Sequence, residues 1–516
     1  MTERLKYRID KNGERQPRSL GKLAKRGAAW STVRGGLSQL IQIPAAAILA
    51  RLLSPEDFGI AAASWFFTQL AQRMGAFGLA AGIVRSKVVR ADHLSSAFAL
   101  NVIMGVVMWA ALTLSAPAVA SFYRNDMVAE TLPVAALVFL VTPFGTVPMA
   151  LIQRNLRFRA QAAVEWAFQL SLPLISIPLA LAGYGVWSLI WAQFLGSCLR
   201  VVMKIALARW RPSIRVSRAA LAELAPFGMG VYSKGLLNFA AEEMDSMIIG
   251  RTLGLTALGF YDKAFNTATR LRKRLTVGPG VSFRIFAMMQ DEPERFRRAF
   301  CKVTLSATLV GYPVFLGVAA AAPALIIFLF GEQWRASIVP MQVLCLAGAI
   351  RLLNSYVLSA SEALGFIWSG VWRNVIYVVS IVLGIWIGSR WGIEGAALAV
   401  LAATALQVGL MQDLMRRIGG FSWRTLLSPQ VPGIVAGLGT GAVVWVAGRL
   451  AALSPMTAAP WSTLLIQAAS GATFAALFLL LARFGAMREL VAEVVEDLPG
   501  IGRFRRRRVV EPTATT

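Results

Sequence analysis

Between Lys234 and Arg274 two apolar runs, which meet near Arg251, hold six basic residues: Lys234, Lys263, Arg270, Arg272, Lys273 and Arg274. Glu242, Glu243, Asp245 and Asp262 stand among them. In an apolar setting arginine's planar fork can hold two oxygens of a phosphate, and lysine supplies a point charge. The carboxylates can neutralise those cations, or themselves take up protons or cations. Spacing sorts the candidates, because positions i, i+4, i+7 and i+11 of a helix share one face. Lys263, Thr267, Arg270 and Arg274 fit that series; Arg272 and Lys273 do not, and are expected at a lateral opening or paired with acids. Arg34, Arg73 and Arg351 lie in other apolar stretches. The expected cationic set is therefore Arg34, Arg73, Lys234, Lys263, Arg270, Lys273, Arg274 and Arg351. For Glu242, Glu243, Asp245 and Asp262 both roles, charge pairing and ion coupling, stay open.

The elements that carry these residues are membrane helices. The chain has 516 residues, 57% of them hydrophobic and only 15% charged, with a mean hydropathy of +0.61. Soluble domains carry about 25% charged residues. A helix needs about 20 apolar residues to cross the bilayer core, and about fourteen such runs occur, at 29–50, 57–84, 94–117, 132–152, 161–182, 186–207, 219–250, 254–283, 299–322, 338–358, 363–387, 392–411, 430–449 and 461–482. No cleavable leader is expected, since the first 29 residues are polar and hold nine Lys or Arg. Pro226 and Gly278-Pro279-Gly280 interrupt the seventh and eighth runs and read as hinges or as static kinks.

The net charge of +26 follows this topology. With the N-terminus on the cytoplasmic side, alternate segments on that side hold 35 of the 52 Lys and Arg, and the opposite side holds six. Both termini are therefore expected in the cytoplasm, and a nucleic-acid partner is not expected. The remaining eleven lie within spans, each costing roughly 3 kcal/mol on insertion scales. Trp30, Tyr123, Trp334, Trp391 and Trp461 fall near span ends and read as interface anchors. The tail IGRFRRRR is expected against anionic membrane lipids. Cys198, Cys301 and Cys345 have no paired spacing and His93 is the sole histidine, so neither a metal site nor a cofactor is expected.

RLLSPEDFGI at Arg51 returns as RTLGLTALGF at Arg251, an offset of 200. GYGVWSL at Gly183 returns as RWGIEGAAL at Arg390, an offset of 207. Two six-span blocks in the same orientation are parallel repeats, an arrangement found in transporters with a site between the halves. The expected division is a basic N-terminal tail (1–28), a first six-helix bundle (29–210), a second (211–418), two extra helices (419–485) and a basic C-terminal tail (486–516).

At RLLSPEDFGIAAA, RTLGLTALGFYDKAF and MMQDEPERFRRAF the chain resembles the polysaccharide transporter family of the multidrug/oligosaccharidyl-lipid/polysaccharide (MOP) exporter superfamily, which includes the Wzx-type flippases. The resemblance runs from about residue 20 to residue 485 and implies an all-α, MATE-like polytopic fold: two six-helix bundles related by pseudo-symmetry around a central cavity, plus an extra helix pair. It also implies a flippase rather than an enzyme. The expected cargo is an undecaprenyl-pyrophosphate-linked oligosaccharide repeat unit, moved across the bacterial inner membrane by alternating access for exopolysaccharide, capsule or O-antigen synthesis. A monomer is expected, with the polymerase and chain-length regulator of the same pathway as partners. The alternatives are a drug/cation antiporter of the same superfamily, and a membrane-embedded polymerase or glycosyltransferase. The excess of intramembrane cations disfavours the first. The second generally needs a large extramembrane catalytic loop, whereas here the longest segment on the outer side, about residues 323–337, is short.

Overall fold

The computed structural model describes residues 7–9, 15–17, 41–75, 82–84, 89–210, 213, 216–217, 236, 239–276, 279–453 and 460–482. Among them the chain is helical apart from one antiparallel pair of three-residue strands, Tyr7–Ile9 with Arg15–Pro17. Nine helical stretches among the described residues are long and apolar enough to cross a membrane. One of the nine, Trp368–Gly419, holds two helices separated by a short 3-10 turn. The protein is a multi-pass membrane protein.

The chain divides into two compact units, Met1–Leu236 and Leu237–Thr516. In the first unit the helices are α1 (Ile41–Leu52), α2 (Pro55–Gly75), α3 (Ala91–Tyr123), the broken α4 (Met127–Arg154), α5 (Phe158–Leu181) and α6 (Val186–Ala208). Pro143 breaks α4, whose residues Thr142–Gly145 wind as a 3-10 turn because proline cannot donate to the carbonyl four residues back. Small residues let these helices approach: Ala61, Ala62 and Ala63 of α2 are buried, and Gly196 of α6 leaves no room for a Cβ against Ser171 and Phe168 of α5.

The second unit contains α7 (239–253), α8 (Leu255–Leu275), α9 (Pro279–Ala287), α10 (Pro293–Phe330), α11 (Ile338–Arg351), α12 (Asn354–Ala363), α13 (Ile367–Gly388), α14 (Gly392–Gly419), α15 (Val431–Leu453) and α16 (Pro460–Ala482). A core of Phe286, Phe296, Phe300, Val357, Met411, Met415 and Phe421 ties α9, α10, α12 and α14 together. The extra helix α15 lies along α10, with Gly433 against Thr308 and Gly437 against Tyr312.

The repeat seen in the sequence is a repeat of turns. Arg51 and Arg251 each close a helix, and the next helix opens with the same bond, Phe58 N to Ser54 O at 3.4 Å and Leu258 N to Gly254 O at 3.1 Å. Phe58 and Gly59 are buried, as are Leu258 and Gly259. Ser54 starts α2 through reciprocal bonds with Asp57, whereas Gly254 starts α8 with a φ of +88°. In the second echo Gly185 (φ +50°) and Gly392 (φ +71°) open α6 and α14. The described non-glycine residues with positive φ are Arg124, Leu156 and Arg209, all in the first unit. Leu156 and Arg209 have glycine counterparts with positive φ at the matching turns of the second, Gly365 and Gly420, whereas Gly331 at the end of α10 has positive φ but a ψ of 171°, against 43° at Arg124.

Two of the five aromatic side chains expected at the interface are instead packed inside their units. Trp334 has no exposed surface and lies against Phe260 and Phe330, and Tyr123 is 3% exposed beside Phe67. A helix end alone does not distinguish a ring turned inward from one turned to lipid. Trp391 and Trp461 are exposed, and Trp30 lies outside the described residues.

Candidate functional site

In the second unit α7, α8, α11, α13 and α14 bring a charged cluster together. The face of α8 that packs inward carries Leu258, Tyr261, Ala264 and Ala268, all buried. Four residues after Ala268, one helical turn on, the same face reaches Arg272. Its guanidinium donates to Glu242 Oε1 of α7 at 3.2 Å, and the Lys273 ammonium lies 3.7 Å from Glu242 Oε2. Arg351, at the last turn of α11, donates to the Ala241 carbonyl at 3.1 Å. Its guanidinium rests 5.0 Å above the buried Tyr377 ring of α13, a contact that orients the fork. Arg272 and Arg351 line one small, open cleft together with Phe265, Thr269, Gly348 and Thr404. A cleft lined by two guanidiniums and two hydroxyls suits an oxyanion, with Glu242 and Asp245 as the carboxylates nearest Arg351.

The acids have distinct surroundings. Asp245 is 3% exposed, and its Oδ2 accepts from the Tyr261 hydroxyl at 2.7 Å while Oδ1 accepts from Ser246 N at 2.8 Å. Tyr261 in turn stacks on Phe265, so the carboxylate is fixed to the inward face of α8. Glu242 holds Arg272 and Lys273. Glu243 has Asp245, Asp262, Glu242 and Lys273 as charged neighbours, and Asp262 has Lys263 and Arg270.

The other residues expected at the site are spread more widely. Lys263 sits 5.3 Å from the centres of the Phe330 and Trp334 rings. Arg270 and Arg274 are exposed, on the side of α8 away from its inward face, as is Arg73 in the last turn of α2. Pro279 and Gly280 begin α9. Arg34, Lys234, Pro226 and Gly278 lie outside the described residues. Arg272 and Lys273 pair with an acid, one of the two placements their spacing leaves open; that Arg272 also lines the cleft does not follow from a spacing counted from Lys263. Counting from the apolar stripe Leu258–Tyr261–Phe265–Ala268 leads to Arg272 directly.

Residues 48–339 match the family described as "Polysaccharide biosynthesis protein". The lipopolysaccharide biosynthesis protein WzxC of Escherichia coli (strain K12) is 25% identical over 77% of this chain and 82% of its own. The teichuronic acid biosynthesis protein TuaB of Bacillus subtilis (strain 168) is 27% identical over 72% and 78%, and the succinoglycan biosynthesis transport protein ExoT of Rhizobium meliloti (strain 1021) is 27% identical over 61% and 64%. The fold is similar to a structure described as "Lipid II flippase MurJ, inward closed conformation", with a TM-score of 0.70 and 12% identity over 88% of this chain and 98% of that one. It also resembles an inward-facing multidrug resistance MATE family transporter of the MOP superfamily, at a TM-score of 0.55 and 14% identity over 74% and 95%. More than half of the chain is matched, and it belongs to the polysaccharide biosynthesis protein family.

Proposed function

We propose that the protein is a flippase for a lipid-linked oligosaccharide. It carries an undecaprenyl-pyrophosphate-linked repeat unit from the cytoplasmic to the outer leaflet of a bacterial inner membrane, with both termini in the cytoplasm. The observation that carries this reading is the Arg272–Arg351 cleft, cationic and set among apolar helices. A pyrophosphate crossing the membrane loses its hydration, and two guanidinium forks substitute for that water. The names of the relatives support the cargo class: polysaccharide biosynthesis and transport proteins in sequence, a lipid II flippase in fold. No bond is made or broken in this step, so the protein acts as a transporter rather than an enzyme.

The two units act as matched halves in this reading, with Pro279 and Gly280 bending at the start of α9 as access alternates. The exposed Arg270, Arg274 and Arg73 contribute charge along the route, as Arg34 and Lys234 do. The protein works as a monomer that delivers its product to a polymerase and chain-length regulator. A drug/cation antiporter is disfavoured by the cations that line the cleft, Arg272 and Arg351, which suit an anionic cargo. The test is complementation of a deletion strain with Arg272→Gln plus Arg351→Gln at normal protein level. Loss of surface polysaccharide with accumulation of lipid-linked repeat units is expected; normal polysaccharide overturns the cleft as the site.

A further inference from the structure

Arg200 and Lys204 lie one turn apart on α6 in the first unit, away from the residues discussed so far. Arg200 donates to Glu165 Oε2 of α5 at 3.0 Å and stacks 4.8 Å above the Phe168 ring. Its Nε is buried and has no partner. Lys204 makes no hydrogen bond or ion pair among the described residues. Among the described residues two cations thus face one carboxylate near the end of α6.

Snorkelling does not account for Lys204. Side chains on a helix point toward its N-terminus, which for α6 is away from the nearer, C-terminal end. The end of α6 is fixed by the Arg157 guanidinium, which donates to Leu207 O at 2.7 Å. Lys204 lies only one turn before that point, yet its stem crosses the α4 break at Gly145. A Cβ built on Gly145 would come within 2.8 Å of Lys204 Cδ and 3.4 Å of Nζ. Gly145 precedes the end of α4 at Arg154 by nine residues, about 14 Å of helix at 1.5 Å per residue. The ammonium therefore reaches inward, through a gap that a glycine keeps open.

The second unit shows that the fold does not require these charges. The Gly185/Gly392 turns pair α6 with α14, so Arg200 corresponds to Gln407 and Lys204 to Met411. The Leu156/Gly365 turns pair α5 with α13, so Glu165 corresponds to Asn374. Gln407 Nε2 donates to Asn374 Oδ1 at 2.8 Å, the same cross-helix bond as Arg200 to Glu165 but without charge. Met411 is a buried core residue.

We propose that Lys204, with Arg200, forms a second oxyanion site in the first unit, one that takes a phosphoryl group near the end of α6. Lys204 supplies the free charge, Glu165 orients Arg200, and Gly145 gives the ammonium its path. The ligand chemistry is a phosphate or pyrophosphate, whether from a phospholipid headgroup or from another phosphorylated species. The site does not depend on the Arg272–Arg351 cleft.

The test uses the full chain in phosphatidylcholine nanodiscs, titrated calorimetrically with inorganic pyrophosphate in an Arg272→Gln/Arg351→Gln background that silences the cleft. Lys204→Gln should weaken binding about tenfold or more, the value of one charge-assisted hydrogen bond. Lys204→Arg should retain it. Glu165→Asn with Arg200→Gln, which copies the pair of the second unit, should keep the melting temperature and weaken binding. If Lys204→Gln, folded by the same melting criterion, binds like its parent, or if the parent itself does not bind, the site is overturned. Repeating the titration in phosphatidylglycerol nanodiscs separates the sources. A Lys204-dependent signal that disappears there marks occupancy by lipid headgroups; one that persists marks a ligand other than the bulk lipid.

Discussion

Arg272 and Arg351 are held differently, and their replacements should separate accordingly. Arg272 is paired with a carboxylate, so Glu242→Gln leaves a guanidinium without its counter-ion and should cost about 2 kcal/mol in unfolding by denaturant in detergent. Adding Arg272→Gln to Glu242→Gln should recover part of that loss, because paired residues are not additive. A strictly additive double mutant would contradict the pairing. Arg351 is held by a backbone carbonyl and an aromatic face, so Arg351→Gln removes charge from the cleft while Glu242 keeps its pair with Arg272 and Asp245 its bond from Tyr261. Asp245 is occupied by donors, one of them a neighbouring side chain. Tyr261→Phe removes the hydroxyl and should lower stability by about 1–3 kcal/mol; unchanged stability would show that the bond contributes nothing. The sequence displayed all of these charges but not their facing. Helical spacing identifies a shared face, and only the apolar stripe of α8 tells which face turns inward. Contacts such as Arg351 with Tyr377 join residues on helices far apart in the chain and leave no local signature.

At the scale of elements, the turns carried most of the legible information. Arg51-x-Leu53 and Arg251-x-Leu253 could be matched because a helix–turn–helix join fixes residue type at a few positions. The further correspondences, Leu156 with Gly365 and Arg209 with Gly420, are hidden in the sequence because the two units meet one backbone requirement with different residues. Left-handed φ costs a non-glycine residue about 1–2 kcal/mol. Gly365 and Gly392 have nothing within 4 Å of an added Cβ, so Gly365→Ala and Gly392→Ala should each destabilise by about 1 kcal/mol through the backbone alone. Gly348→Ala is a different case, since its Cβ would lie 2.6 Å from the Phe315 ring, and it should cost more. Thermal or denaturant unfolding in detergent checks the order; equal losses at Gly348 and Gly365 would contradict it. The extra pair α15 and α16 was read from hydropathy alone, but its docking along α10 depends on Gly433 and Gly437, whose role appears only with the neighbouring backbone in place.

For the whole molecule, composition and the distribution of arginine and lysine made the membrane class legible at once. The bias of basic residues predicts that Arg124 lies outside and the loop at Arg154–Arg157 lies inside. An alkaline phosphatase fusion after Arg124 should be active and one after Arg157 inactive; the reverse pattern would invert the topology. The family match, the fold and the cationic cleft then converge on movement of a lipid-linked oligosaccharide. The most direct test is the leaflet distribution of lipid-linked repeat units in a deletion strain carrying Arg272→Gln plus Arg351→Gln at normal protein level. Units retained in the cytoplasmic leaflet, with surface polysaccharide lost, are the predicted result. Normal outward distribution and normal polysaccharide with both guanidiniums gone would contradict the account.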